Sequence, residues 1–238
     1  MDVTQLFILQ FIAHLLADYT FQTGRRACDK DTLGFKSNFL KWHVLVIFGF
    51  SWVLSFQWLF VFGSLAIALS HWLLDGFKHH IRNRRETGNF TFFIDQAVHL
   101  LILSLVVILY TRLFTVKPVV NISLSIKYLL IIAAYLICTK PANILIKEIL
   151  VAFEIKFADQ GESAESIPNA GKLIGVIERW LVLTFILCNQ FESIGFLIAA
   201  KSILRFKEAD TVKTEYVLIG TMLSFSISIA MGNMILHT

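Results

Sequence analysis

The sequence predicts an all-α, polytopic transmembrane bundle of about eight spans, seven if the shortest run does not cross, with both termini outside the cytoplasm. Three observations lead there. Of the 238 residues, 56% are hydrophobic and only 16% are charged. Mean hydropathy is +0.70. Lys and Arg also collect on one side of the apolar runs. A water-soluble domain carries about 25% charged residues to keep its surface wet, so a soluble globular enzyme, a disordered chain and a collagenous chain are excluded. The net charge of +4 then concerns topology and anionic headgroups rather than nucleic acid, which is not an expected partner. Cys28, Cys138 and Cys188 show no CxxC spacing, which argues against a disulfide framework and a thiolate zinc site.

A crossing helix needs about 20 mostly apolar residues. The runs between polar breaks are 3–22, 40–55, 58–79, 91–112, 124–140, 172–191, 194–206 and 215–236. The first follows Met-Asp-Val-Thr, which lacks the basic start of a cleavable signal and is expected to remain as a span. The stretch 40–79 is almost unbroken and would measure about 60 Å as one helix, twice the hydrocarbon thickness. A hairpin is therefore expected at Ser55-Phe56-Gln57. The run 194–206 is the short one. With the N-terminus outside, sixteen Lys and Arg fall in cytoplasmic segments and three (Arg112, Lys117 and Lys127) in outer ones, as the positive-inside rule requires.

Three domains follow: an N-terminal transmembrane bundle over 1–140, a cytoplasmic amphipathic helix and connector over 141–171, and C-terminal transmembrane helices over 172–238. The connector is marked by the polar, small-residue string ADQGESAESIPNAG.

Ionisable side chains inside a span cost about 2.5–3.5 kcal/mol each on insertion scales, so each needs a reason. The first run carries His14-x3-Asp18-x3-Gln22, the third His71-x3-Asp75 and the fourth Asp95-Gln96-x2-His99. Spacing of four puts each set on one helical face. The order reverses in the fourth run, which travels the other way. All three aspartates then lie about 6–8 Å from the cytoplasmic end and the histidines about one turn deeper. Asp18, His71, Asp75, Asp95 and His99 are the expected ligands of a divalent ion (Zn, Mn, Fe or Mg). His14 is expected as ligand or general base, with Gln22 and Gln96 orienting a ligand or water. His43 and Lys78 stand nearby as additional candidates. Two other readings remain open: each His–Asp pair as an interhelical clamp, or the set as a proton or ion relay.

In the second half, Arg179, Lys201 and Arg205 could receive a phosphate or lipid headgroup, with Glu178 beside them. A mutually neutralising ion-pair network is the plainer reading.

The strings HLLADYTFQT at 14–23, SHWLLDGFKH at 70–79 and IDQAVHL at 94–100 resemble an uncharacterised family of bacterial polytopic membrane proteins. That family is known as a domain of unknown function, and some members accompany the stress-adaptation protein SatD. GKLIGVIERWL, AAKSILRFKE and EYVLIGTMLS resemble its C-terminal part. The resemblance implies a bacterial inner-membrane location and no established reaction. The His-x3-Asp helices alone are loosely similar to membrane-embedded metal-dependent hydrolases.

The functional expectation is thus a metal-dependent membrane hydrolase acting on a phosphorylated or lipid-like substrate. The alternatives are a cation- or proton-coupled transporter, and a non-enzymatic subunit anchoring a cytoplasmic partner. Expected partners are the bilayer, an anionic lipid or phosphorylated substrate, and a second copy of the chain or a cytoplasmic protein. Against transport stands the lack of an inverted repeat or paired interrupted spans.

Overall fold

The structure is a computed structural model that describes residues 1–82, 90–116, 118–119, 125–155, 170–205 and 211–238. Of the amphipathic helix and connector expected over 141–171, residues 156–169 lie outside the described residues. Among those described there are ten α-helices and no strand: α1 Val3–Leu15, α2 Gly24–Leu33, α3 Asn38–Ser55, α4 Val61–Arg82, α5 Thr91–Leu113, α6 Ile126–Ile137, α7 Lys140–Ala152, α8 Ala170–Leu187, α9 Phe191–Arg205 and α10 Thr211–Leu236. They form two compact units, residues 1–133 and 134–238.

Local chemistry sets the helix ends of the first unit. Asp2 Oδ1 accepts from Gln5 N–H at 2.7 Å while Gln5 Oε1 accepts from Asp2 N–H at 2.9 Å, a reciprocal cap on α1. The helix continues through one π-helical turn, Leu16–Thr20, closed by Phe21 N–H on Leu16 O at 3.1 Å. Gly34 ends α2 at φ 53°, a conformation that favours glycine. Phe56 takes φ 53° between α3 and α4, so the hairpin falls where the length argument requires it. Tyr110 OH then donates to Gln57 Oε1 at 3.0 Å and ties the turn to α5.

The helices of this unit face outward with carbon. On α5 the stripe His99, Leu103, Val107 and Tyr110 is buried, whereas Leu101, Leu105 and Leu109 are each 57–59% exposed. A water-soluble monomer does not display apolar faces on this scale. Inside, Leu6, Ile47, Phe60, Ile67 and Leu103 form the apolar core. Polar contacts punctuate it: Gln10 Nε2 donates to Ser51 O at 2.9 Å, and Ser51 Oγ donates to Gln10 Oε1 at 2.6 Å.

Among the described residues four helical stretches are long and apolar enough to cross a membrane: Asn38–Ser55, Trp58–Lys78, Thr91–Leu113 and Glu215–Leu236. A fifth counts if α6 and α7, bent by 53°, are one broken span. The run 124–140 thus becomes a 12-residue helix that stops before Pro141, because proline cannot donate to the preceding turn. The run 172–191 carries Lys172, Glu178 and Arg179 within α8, and α9 has only 15 residues. The run 3–22 is divided between the 13-residue α1 and the π-helical turn, and these differences separate the four to five clear spans among the described residues from the eight expected.

In the second unit, Val182, Ile186, Ile194 and Phe225 make the core. Gly232 of α10 meets α8 closely, since a Cβ there would lie 2.6 Å from Ile186 Cγ2.

One close approach in the first unit bears on everything below. A Cβ on Gly76 of α4 would lie 2.1 Å from Cε1 of Phe35. That ring is wedged edgewise against Trp72 and Phe77, with centroids at 4.9 and 5.2 Å. Gly76→Ala must displace a ring with nowhere to swing, so it is expected to destabilise by about 1–3 kcal/mol. Thermal unfolding of the detergent-solubilised protein should show a lower midpoint.

Candidate metal centre

The first unit brings the expected side chains together. His14 and Asp18 come from α1 and its π-helical turn, His43 from α3, His71 and Asp75 from α4, and Asp95 and His99 from α5. The π-helical turn re-aims Asp18 and Tyr19, and such turns recur at functional sites. Ring centroids of His14, His71 and His99 form a triangle with sides of 5.5, 6.0 and 4.3 Å. Two sets of three ligand atoms lie within 4.8 Å of one another: His14, Asp18 and His71, and Asp75, Asp95 and His99.

Two imidazoles have their tautomers set by their own helices. His71 Nδ1 lies 3.0 Å from Ile67 O, and His99 Nδ1 lies 2.7 Å from Asp95 O. A carbonyl only accepts, so in each bond Nδ1 carries the proton, and the neutral ring presents a bare Nε2. His71 Nε2 faces His14 Nδ1 at 3.4 Å. Two nitrogens each 2.0–2.1 Å from one tetrahedral ion stand about 3.4 Å apart. His99 Nε2 is buried without a hydrogen-bond partner among the described residues, which is uncommon for a buried polar atom, whereas His43 Nε2 and Asp18 Oδ1, equally buried, face each other at 3.3 Å.

The two triads differ in charge balance. Lys30 of α2 donates from Nζ to Asp75 Oδ2 at 2.7 Å and to Gln22 Oε1 at 3.2 Å. Lys78 Nζ donates to Asp95 Oδ2 at 3.0 Å and lies 3.8 Å from Asp31 Oδ1. Asp18 faces imidazoles instead: His43 Nε2 is 3.3 Å from Oδ1, and His14 Nδ1 is 3.7 Å from Oδ2. His43 Nε2 is also 3.7 Å from Asp75 Oδ2, so this ring stands between the triads. Gln96 accepts from Tyr19 OH at 2.9 Å and donates to Asp95 Oδ2 at 3.3 Å.

In the sequence Lys30 is one of the sixteen Lys and Arg of the cytoplasmic segments, and Tyr19 and Gln10 carry no motif of their own. A buried glutamine or tyrosine amid an apolar run was the available signal for the latter two. Nothing local marked Lys30, whose partner is 45 residues away.

The second-unit candidates make a different structure. Arg179, 1% exposed, donates to Cys138 O at 2.7 Å, Thr139 O at 3.2 Å, Asn143 Oδ1 at 2.7 Å and Ser224 Oγ at 3.0 Å. Its guanidinium closes the carbonyls left open where α6 breaks into α7, so its donors are committed to the fold rather than presented to an anion. Lys201 donates to Glu178. The side chain of Arg205 lies outside the described residues.

The buried lysine gives a stability test. Lys30 and Asp75 are 5% and 3% exposed, so Lys30→Met leaves a carboxylate charge uncompensated, at an expected cost of about 3–5 kcal/mol. The Lys30→Met/Asp75→Asn double variant should recover most of that loss in a double-mutant cycle of thermal unfolding. Additive losses would mean the pair is not coupled.

No curated protein and no solved structure matches the chain. A family model does: residues 6–131, more than half the chain and the whole of the His/Asp cluster, match DUF3307, described as a protein of unknown function. The chain belongs to the DUF3307 family.

Proposed function

We propose that this is an integral membrane protein that binds a divalent metal ion between His14, Asp18 and His71 and uses it to hydrolyse a phosphoester or acyl bond at the cytoplasmic side of the bilayer. The observation that carries the reading is the 3.4 Å approach of His14 Nδ1 to a His71 Nε2 whose tautomer is held by Ile67 O. Beside it lies a carboxylate whose two oxygens face imidazoles, His43 at 3.3 Å and His14 at 3.7 Å, and no ammonium group. An imidazole and carboxylate donor set without thiolates suits Zn, Mn or Fe.

A divalent ion there would lower the pKa of bound water and polarise a phosphoryl or carbonyl oxygen. The chain's own groups do the rest. His43 holds Asp18 in orientation from outside the triad. His99 Nε2, bare and without a hydrogen-bond partner, is placed to accept a proton from water. Hydrolysis then adds hydroxide to the phosphorus or acyl carbon and returns the proton to the leaving oxygen, with no further reactant. Asp75 and Asp95, already holding ammonium groups, keep Lys30 and Lys78 at the rim. A second ion at Asp75, Asp95 and His99 would first have to displace a lysine.

The layout proposed is the eight-run one with both termini outside, supported by the sixteen-to-three distribution of Lys and Arg. It places the cluster toward the inner leaflet, in keeping with the bacterial inner-membrane location that the motif resemblance implies. The rival reading is a structural clamp, favoured by the Lys30–Asp75 and Lys78–Asp95 pairs, which complete two carboxylates without any metal.

Elemental analysis after incubation with Zn, Mn or Fe(II) and removal of excess ion separates the two. Near one equivalent is expected in wild type and in Thr32→Ala, a change on the exposed face of α2. Asp18→Asn and His71→Ala should retain less than a tenth of that. Metal absent from wild type, or bound equally by all four proteins, overturns the proposal in favour of the clamp.

A further inference from the structure

A groove of about 440 Å³ runs along the outside of the cluster, where the end of the π-helical turn, the first turn of α2 and the first turns of α3 meet. Phe21, Phe39, Trp42 and Val46 give it apolar walls; Arg26 and Asn38 supply polar groups. His43 lines it too. One face of that ring stacks on Phe39, with centroids 5.8 Å apart, and its Nε2 reaches Asp18 and Asp75 at 3.3 and 3.7 Å. His43 is therefore the partition between groove and cluster. The volume and mostly apolar lining, with a few convergent polar groups, are those of a small-ligand site.

Three features specify the occupant. First, the groove sits at the beginning of a helix long and apolar enough to cross the membrane, Asn38–Ser55, which puts its mouth at headgroup depth. Trp42, 68% exposed, is the amphipathic ring that settles at such an interface. Second, the charge there is positive. Besides Lys30, which is committed to Asp75, residues 25–41 carry four Lys and Arg against Asp29 and Asp31, and the exposed Arg26 guanidinium lies 5.5 Å above the Phe39 ring. Third, the apolar wall continues along the same face of α3 at spacing four, Trp42, Val46 and Phe50, with Phe50 meeting Phe21 at a ring distance of 4.9 Å. A small soluble phosphate would use Arg26 and leave that wall idle. A phospholipid uses both.

We infer that this groove binds an anionic glycerophospholipid of the surrounding leaflet, its phosphate at Arg26 and Asn38 and an acyl chain along Trp42, Val46 and Phe50. The proposed hydrolase reading makes this lipid its substrate, brought to the His43 side of the metal triad. That role alone rests on the hydrolase reading; the binding does not.

Brominated lipids quench tryptophan on contact and give the readout. The full-length protein in neutral detergent is titrated with brominated phosphatidylglycerol and, separately, with brominated phosphatidylcholine. Saturable quenching is expected, tighter for the anionic lipid. Trp42→Phe, a ring-for-ring change, should remove that saturable component. Arg26→Ala should weaken the phosphatidylglycerol affinity about fivefold, the worth of one basic side chain near an anionic headgroup. Equal quenching by both lipids, or a saturable component surviving in Trp42→Phe, overturns the proposal. So does loss of the anionic preference on adding millimolar glycerol phosphate, which would assign the groove to a soluble phosphate. Metal content measured on the same preparations keeps the two proposals apart. Selective lipid binding by a metal-free protein sinks the metal centre alone, and metal binding without lipid selectivity sinks the groove alone.

Discussion

A carboxylate placed among apolar helices must have its charge answered, because the medium around it answers so little. Three aspartates at one level of the first unit impose that requirement three times, and the architecture around them follows from it. Lys30 reaches Asp75 only because α2 lies against α4. That approach depends on the glycine turn at Gly34 and on the missing side chain at Gly76, where Phe35 takes the space. Lys78 answers Asp95 across one helix pair. A break in any of these contacts exposes a buried charge, so packing and electrostatics here are one constraint.

The second unit meets the same requirement from the opposite sign and for a different purpose. Pro141 interrupts the run from α6 to α7, and a helix ended inside the fold leaves carbonyls without donors. Arg179 supplies the donors to Cys138 O and Thr139 O and adds Asn143 and Ser224. A guanidinium does this well, since it offers several N–H groups in a fixed plane. Glu178, one residue earlier, is left to Lys201. Of the four charged residues that look like an anion pocket in sequence, Arg179 is thereby spent on a backbone cap and Glu178 and Lys201 on an ion pair.

What could be read from the chain depends on range. The hairpin at Phe56 follows from length alone, and the shared faces of His14 with Asp18, His71 with Asp75 and Asp95 with His99 follow from spacing. The break ahead of α7 is announced by Pro141. Each of these is local. Lys30 is not: it sits on a polar helix, looks like a surface charge, and becomes a core residue only when α2 packs against α4. The π-helical turn is equally silent, since nothing in Leu-Ala-Asp-Tyr-Thr distinguishes it from an α-helical one. Arg179 was legible as a buried charge but not as a cap, because the carbonyls it closes are some 40 residues upstream. The span count is legible in part for a related reason: hydropathy marks a run as apolar, but packing and proline decide how long the helix is, and four to five of the runs meet the length of a span among the described residues.

Charge arithmetic within the cluster distinguishes its two halves. Two ammonium groups balance Asp75 and Asp95 at 2.7 and 3.0 Å, while the third carboxylate, Asp18, faces His14 and His43. With neutral imidazoles Asp18, Asp75 and Asp95 against Lys30 and Lys78 leave one negative charge in excess, and the excess sits on Asp18. The same carboxylate has only imidazoles beside it, and the 3.4 Å separation of His14 and His71 next to it is the width two nitrogens keep around one ion. A structural clamp would balance Asp18 by protonating His14 or His43, the two rings that face it. A cation site needs that imbalance, because the charge left unanswered by the protein is what a bound ion neutralises.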